Sequence, residues 1–174
     1  LPVGNPAATG KGEAYDDFAS YNTSIYGRGE LFFHQLRYIV GDAALAQIMR
    51  TFYDRWKLKH VDEAAFRAVA EEVSGRDLSG FFAQGLHGTA LVDYAVGGVK
   101  ISRTGERAAG GGTGWQTRVE VRREAEGRIP VEVWVIGESD TAVVRTDGQA
   151  VREWATIVTR SRPVKGGRIV MRYS

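Results

Sequence analysis

The stretch Tyr26-Gly27-Arg28-Gly29-Glu30 holds the residue types in this chain best suited to chemistry. It places an aromatic hydroxyl just ahead of an apolar series, Leu31, Phe32, Phe33, Leu36, Ile39 and Val40, whose spacing fits one face of a helix. Glycines at 27 and 29 let the backbone approach another segment or a ligand closely. A tyrosine at a helix start more often serves packing, its ring buried and its hydroxyl on a nearby carbonyl. Tyr21, five residues earlier, supplies a second aromatic.

Other chemistries find little support in the residues. The chain has no cysteine, which excludes a disulfide framework, a thiolate metal site and a cysteine nucleophile. Its three histidines, His34, His60 and His87, are isolated from one another, and none begins the H-E-x-x-H spacing that puts two zinc ligands on one helical face. His34 is expected to be partly buried and hydrogen-bonded within the first helix, with His60 and His87 near helix ends. The run Gly110-Gly111-Gly112-Thr113-Gly114 lacks the Lys-Ser/Thr ending of a phosphate loop and reads as a flexible hairpin loop. No G-x-S-x-G elbow occurs, and Ser79 falls on a helix surface. The basic residues Arg160, Arg162, Lys165, Arg168 and Arg172 are expected to solubilise an edge rather than to bind nucleic acid.

Composition agrees with an ordinary globular chain. Of 174 residues, 43% are hydrophobic and 25% charged, and the net charge of +2 is too balanced to demand a nucleic-acid partner. No apolar run approaches the roughly 18 residues of a membrane span. The chain opens Leu1-Pro2-Val3-Gly4-Asn5 without an initiator Met, so it is expected to be a piece of a longer polypeptide.

The elements that would position Tyr26 follow from periodicity. Residues 1–25 read as a loop-like connector, rich in Gly and Pro. A helical lobe is expected over 26–90. Its first helix runs from about Tyr26 to Val40 and stops at Gly41. Asp42 caps a second with the stripe Leu45, Ile48, Met49, Phe52 and Trp56. Asp62 caps a third, bearing Phe66, Val69, Ala70 and Val73 and ending at Ser74-Gly75. Asp77 caps a fourth, with Leu78, Phe81, Phe82 and Leu86. Beyond Gly88 the period becomes two, and Val, Ile, Thr and Trp increase. Strands near 91–102, 115–124, 129–137, 140–147, 150–159 and 168–173 predict a β-sandwich domain over 91–174. The expected class is α+β, an all-helical lobe of about four helices followed by a small antiparallel β-sandwich.

This order of parts, with Tyr26-Gly27-Arg28-Gly29 leading into a helix and Ser74-Gly75-Arg76-Asp77-Leu78-Ser79-Gly80-Phe81-Phe82 farther on, resembles the C-terminal part of the aminopeptidase-N-like gluzincin zinc metallopeptidases. That family carries a Tyr-x-Lys-Gly segment and one like Ser-Gly-x-Asp-Leu-Ser-x-Phe-Phe. The likeness covers residues 13–95 and extends to the strands by position only. Arg28 replaces the usual Lys, and Ala83-Gln84-Gly85-Leu86 stands where relatives often have Asp-x-Trp. The metal helix and the segment that anchors a substrate amino terminus are missing.

The resemblance implies a C-terminal fragment of a zinc metallopeptidase, an aminopeptidase hydrolysing N-terminal peptide bonds. Zinc would belong to the full-length parent, with none bound by this fragment. Tyr26 matches the family tyrosine whose phenol donates to the oxyanion, and Tyr21, Gly27 and Arg28 fall beside the substrate cleft. The implied partners are the upstream zinc-binding segment of the same polypeptide and a peptide substrate, with no nucleic acid and no membrane segment. The competing expectation is a non-catalytic scaffold or protein-interaction module derived from such a peptidase.

Overall fold

The computed structural model describes residues 17–107, 113–164 and 170–172. The chain divides into two compact units at Ala90 and Leu91. The first is helical, and the second consists of two small antiparallel sheets.

The first helical rod begins earlier than the sequence predicts. It comprises α1 (Phe18–Asn22), a wide π turn (Thr23–Gly27) and α2 (Arg28–Val40). Phe18-Ala19-Ser20-Tyr21-Asn22 contains neither glycine nor proline, so nothing local stops the helix from extending back past Tyr26. Gly27 sits at φ −64°, ψ −44°, ordinary helical geometry, and is not a break. The expected connector is therefore helical from residue 18, and its part at 1–16 lies outside the described residues.

Gly41, at φ +89°, ends α2 as expected, its N–H returning to the Arg37 carbonyl at 2.7 Å. Asp42 is not a cap. It is the first residue of α3 (Asp42–Trp56), and its carboxylate reaches back to Arg37, with Nε and Nη2 at 2.6 and 3.0 Å. The planar guanidinium takes both carboxylate oxygens at once, an arrangement that a single backbone N–H cannot match. That bond holds the Asp42 carboxyl below its ordinary range.

Within α3 only Ile48 is buried, and Met49, expected on the core stripe, is 46% exposed. Met49 is the immediate neighbour of Ile48 and so lies about 100° around the helix from it, beside exposed Tyr53 one turn on. Asp62 does cap α4 (Glu63–Ser74), accepting from the Ala65 N–H at 2.8 Å, and Gly75 at φ +65° closes it. Asp77 precedes α5 (Ser79–Phe82) and accepts from the Ser79 N–H at 2.9 Å. Glu71 of α4 takes the Leu78 N–H at 2.9 Å, a link between helices with no local sequence signal. A second π turn, Ala83–His87, prolongs α5.

Phenylalanines join these rods. Phe32 of α2 stacks on Phe81 at 4.7 Å and meets Phe82 edge-on at 5.1 Å, while Phe66 of α4 contacts Phe52 at 5.1 Å and Phe82 at 6.0 Å. Gly85 lies against this cluster, where a Cβ would come within 2.7 Å of the Phe32 ring.

The second unit contains β1 (Tyr94–Arg107), β2 (Thr113–Arg123), β3 (Val131–Ile136), β4 (Thr141–Thr146), β5 (Arg152–Thr159) and β6 (Val170–Arg172). They form two antiparallel sheets ordered β1-β2-β5 and β4-β3-β6. Val119, Val121, Ala155 and Ile157 from one sheet and Val131, Val133 and Val135 from the other are buried, as strand alternation predicts. Thr113 and Gly114 already belong to β2, and the expected glycine loop at 110–112 lies outside the described residues.

One buried hydroxyl ties three separate segments of this unit together. Tyr94 accepts from the Ile129 N–H at 3.1 Å and donates to the Gly148 carbonyl at 2.9 Å. Burial is the main cause pushing its phenol above the ordinary tyrosine range. Tyr94→Phe strands the buried Ile129 N–H and is expected to cost about 1–3 kcal/mol in chemical denaturation. Asp140 supplies an acid-sensitive clasp in the same unit. Burial alone would raise its pKa, but hydrogen bonds from the Ser161 hydroxyl and from the Arg160 and Ser161 N–H groups, together with the Arg160 charge, lower it on balance. Its contribution is complete above the ordinary aspartate pKa of about 3.9 and is lost as pH falls through the lower folded-state value. Asp140→Asn should therefore flatten the acid limb of the stability profile.

Candidate functional site

Tyr26 is carried by the π turn at Thr23–Gly27, not by the start of a helix. A π turn inserts one residue relative to the α spacing and re-aims the side chains around it; such turns recur at functional sites. The Tyr26 side chain is 63% exposed, and its hydroxyl has no hydrogen-bond partner among the described residues. Tyr21 is half-buried and meets it edge-on at 6.3 Å between ring centres. The structure thus brings these two expected site residues together. A Cβ placed on Gly27 or on Gly29 would meet nothing within 4 Å, so neither glycine is required for packing within this unit.

Arg28 has a different task. Its Nη2 donates to the Gly88 carbonyl at 2.7 Å, just beyond the second π turn. The first residue after one π turn is thereby tied to the first residue after the other. With Gly85 lying against Phe32, one turn farther along α2, this bond fixes the segment that carries Tyr26. Nothing in the sequence identifies either π turn, because the shift from four-residue to five-residue bonding has no compositional mark here.

The histidines are placed apart from this site. His34 is exposed, contrary to expectation, with Nε2 3.6 Å from Glu30 Oε1. The reason is its position on α2, opposite the buried side formed by Phe32, Leu36 and Ile39. His87 Nε2 lies 2.5 Å from Glu63 Oε2, joining the second π turn to the start of α4, and His60 is exposed in the α3–α4 link. Among the described residues, no three His, Asp or Glu side chains converge in a way that could hold a metal ion. The donors among these described residues do not fit a zinc site. No helix among those residues is long and apolar enough to cross a membrane.

Compared with models of known protein families and with curated proteins, the chain matches none.

The Arg28 bond gives the site a direct test. Arg28→Ala should lower the stability of the helical unit by about 1.5–3 kcal/mol, the range for a hydrogen bond from a charged donor. Arg28→Lys should recover only part of that loss. An Arg28→Ala unfolding curve superimposable on the parent's would show that the Gly88 contact holds nothing.

Proposed function

We propose that this chain is the C-terminal portion of a zinc metallopeptidase of the aminopeptidase-N-like class, and that it contributes a wall of the substrate cleft and the Tyr26 hydroxyl. The observation that carries the reading is the 63% exposure of Tyr26 on its π turn, with its hydroxyl unpartnered among the described residues. A packing tyrosine would bury its ring and bond its hydroxyl internally, as Tyr94 does in the same chain.

Chemically, a phenol keeps its proton at neutral pH and can donate a hydrogen bond to negative charge developing on a carbonyl oxygen. A donor of this kind stabilises the transition state by about 2.7–4 kcal/mol when aimed at the oxyanion. Open space beside Gly27 and Gly29 would let a substrate backbone pass close to the tyrosine. Exposed Phe18, Leu31 and Met49 on the same unit are apolar surface of the sort that another segment of the polypeptide would cover. Because the described residues do not fit zinc, metal and activated water would be supplied by the upstream segment, and the chain alone should be inert.

Two measurements test the reading. Purified alone, the 174-residue chain should hydrolyse no aminoacyl amide, with or without added zinc. In the longer polypeptide, Tyr26→Phe should lower kcat by roughly 100- to 1000-fold while bound zinc stays stoichiometric. Unchanged turnover would remove Tyr26 from the site. An upstream sequence without H-E-x-x-H would leave the non-catalytic scaffold as the better reading.

A further inference from the structure

The outer face of the β1-β2-β5 sheet concentrates positive charge in a pattern that works against the sheet's own stability. Thr117, Val119 and Val121 of β2 and Ala155, Ile157 and Thr159 of β5 point inward and are buried. Strand alternation therefore puts Arg118 and Arg122, with Arg152 and Trp154, on the outer face. The register places Lys100 directly beside Arg118, and Arg122 directly beside Arg152. Like charges facing each other on neighbouring strands are destabilising.

The compensation within the sheet is incomplete. Glu120 shares this face, but its carboxylate also takes the Gly98 N–H at 3.1 Å, and Glu124 lies 3.3 Å from Arg122. Trp154, 38% exposed, has Lys100 Nζ and Arg118 Cζ at 5.1 and 5.2 Å from its ring centre. The other sheet is arranged differently: on its outer face Glu132 stands directly beside Arg145, an opposite-charge pair. Among the described residues, facing like charges thus occur on one of the two outer faces.

We propose that this face binds an extended acidic polypeptide whose carboxylates bridge the two rows of cations. The rows at Arg118 and Arg122 are four residues apart along β2, about 13 Å at the rise of a strand. Side chains at i and i+4 of an extended peptide laid along the sheet project to the same side at the same interval. Three of the four cations are guanidinium groups, which take carboxylates through two parallel hydrogen bonds. Single-stranded nucleic acid is the less suited polyanion, because its bases need free aromatic faces. Trp154, the tryptophan of this face, is already engaged by two cations, as above.

The test uses the whole chain and a fluorescent oligoglutamate, followed by anisotropy at low and raised salt. Saturable binding that weakens with salt is expected. The double variant Arg118→Glu/Arg152→Glu should weaken it about tenfold or more, whereas Arg145→Glu on the other sheet should leave it unchanged. Lys100→Gln guards against a folding artefact: it should weaken binding while the thermal midpoint holds or rises, since it removes one repulsion. No saturable binding at low salt, full affinity in the double variant, or tighter binding of oligothymidylate or of anionic lipid vesicles would each overturn the proposal. None of these readouts depends on peptidase activity.

Discussion

The helical unit depends on how closely its second π turn can approach α2. Gly85 leaves room for the Phe32 ring where any side chain would intrude, and Phe32 can then stack on Phe81 and meet Phe82 edge-on. Through Phe82 the contact reaches Phe66 and so α4; through Phe66 it reaches Phe52 and α3. One glycine therefore permits an aromatic chain that touches every rod of the unit. Burying large rings in edge and stacked geometry gives such a small lobe more apolar area per residue than aliphatic packing would. The sequence departure from the resembled family at Ala83-Gln84-Gly85-Leu86 falls at this contact. A bulkier helix there would not fit the same arrangement.

Tyr26 inherits its position from that packing. Phe32 and Leu36 anchor α2, Arg28 ties its first turn to Gly88, and the π turn sits immediately before this fixed segment. An exposed hydroxyl beside an anchored segment would suit the donor role proposed for Tyr26, because reorganisation during reaction would cancel such a donor's contribution. The β unit is held together by another route. Its inner faces are Val-rich and featureless, and uniqueness comes from polar fasteners, chiefly Tyr94 between Ile129 and Gly148 and Asp140 with the residues at 160 and 161.

What could be read in the sequence was whatever depends on local periodicity. The stripe Phe66, Val69, Ala70, the stop at Gly41, the cap at Asp62 and the alternation of β2 through β5 all rest on interactions within a few residues, and the structure has them. The failures share a different cause. Asp42 lost its capping role to Arg37, and Met49 lay one position off a narrow stripe. Each outcome was decided by a competing partner or by the width of the neighbouring surface, neither of which periodicity encodes. Tyr26 and Tyr21 could be singled out by residue type; the π turn that re-aims them could not, since its five residues differ in no obvious way from an ordinary helix.

The two units leave different kinds of surface unsatisfied, and this bears on what each can meet. On α1, α2 and α3 the exposed groups include the apolar side chains of Phe18, Leu31, Phe33 and Met49 beside charged ones such as Glu30, Asp42 and Arg50, and Tyr26 lies exposed on the π turn between α1 and α2. The apolar part of such a surface gains by being covered with apolar chain, and an exposed hydroxyl gains by receiving an acceptor. On the β1-β2-β5 sheet the excess is cationic and arranged in facing pairs, so it gains from carboxylates and is little helped by apolar contact. A partner suited to one surface is therefore poorly suited to the other. The segment 91–174 carries fourteen Lys and Arg against ten Asp and Glu, an excess matched in sign by its outer face, whereas residues 1–90 are slightly acidic.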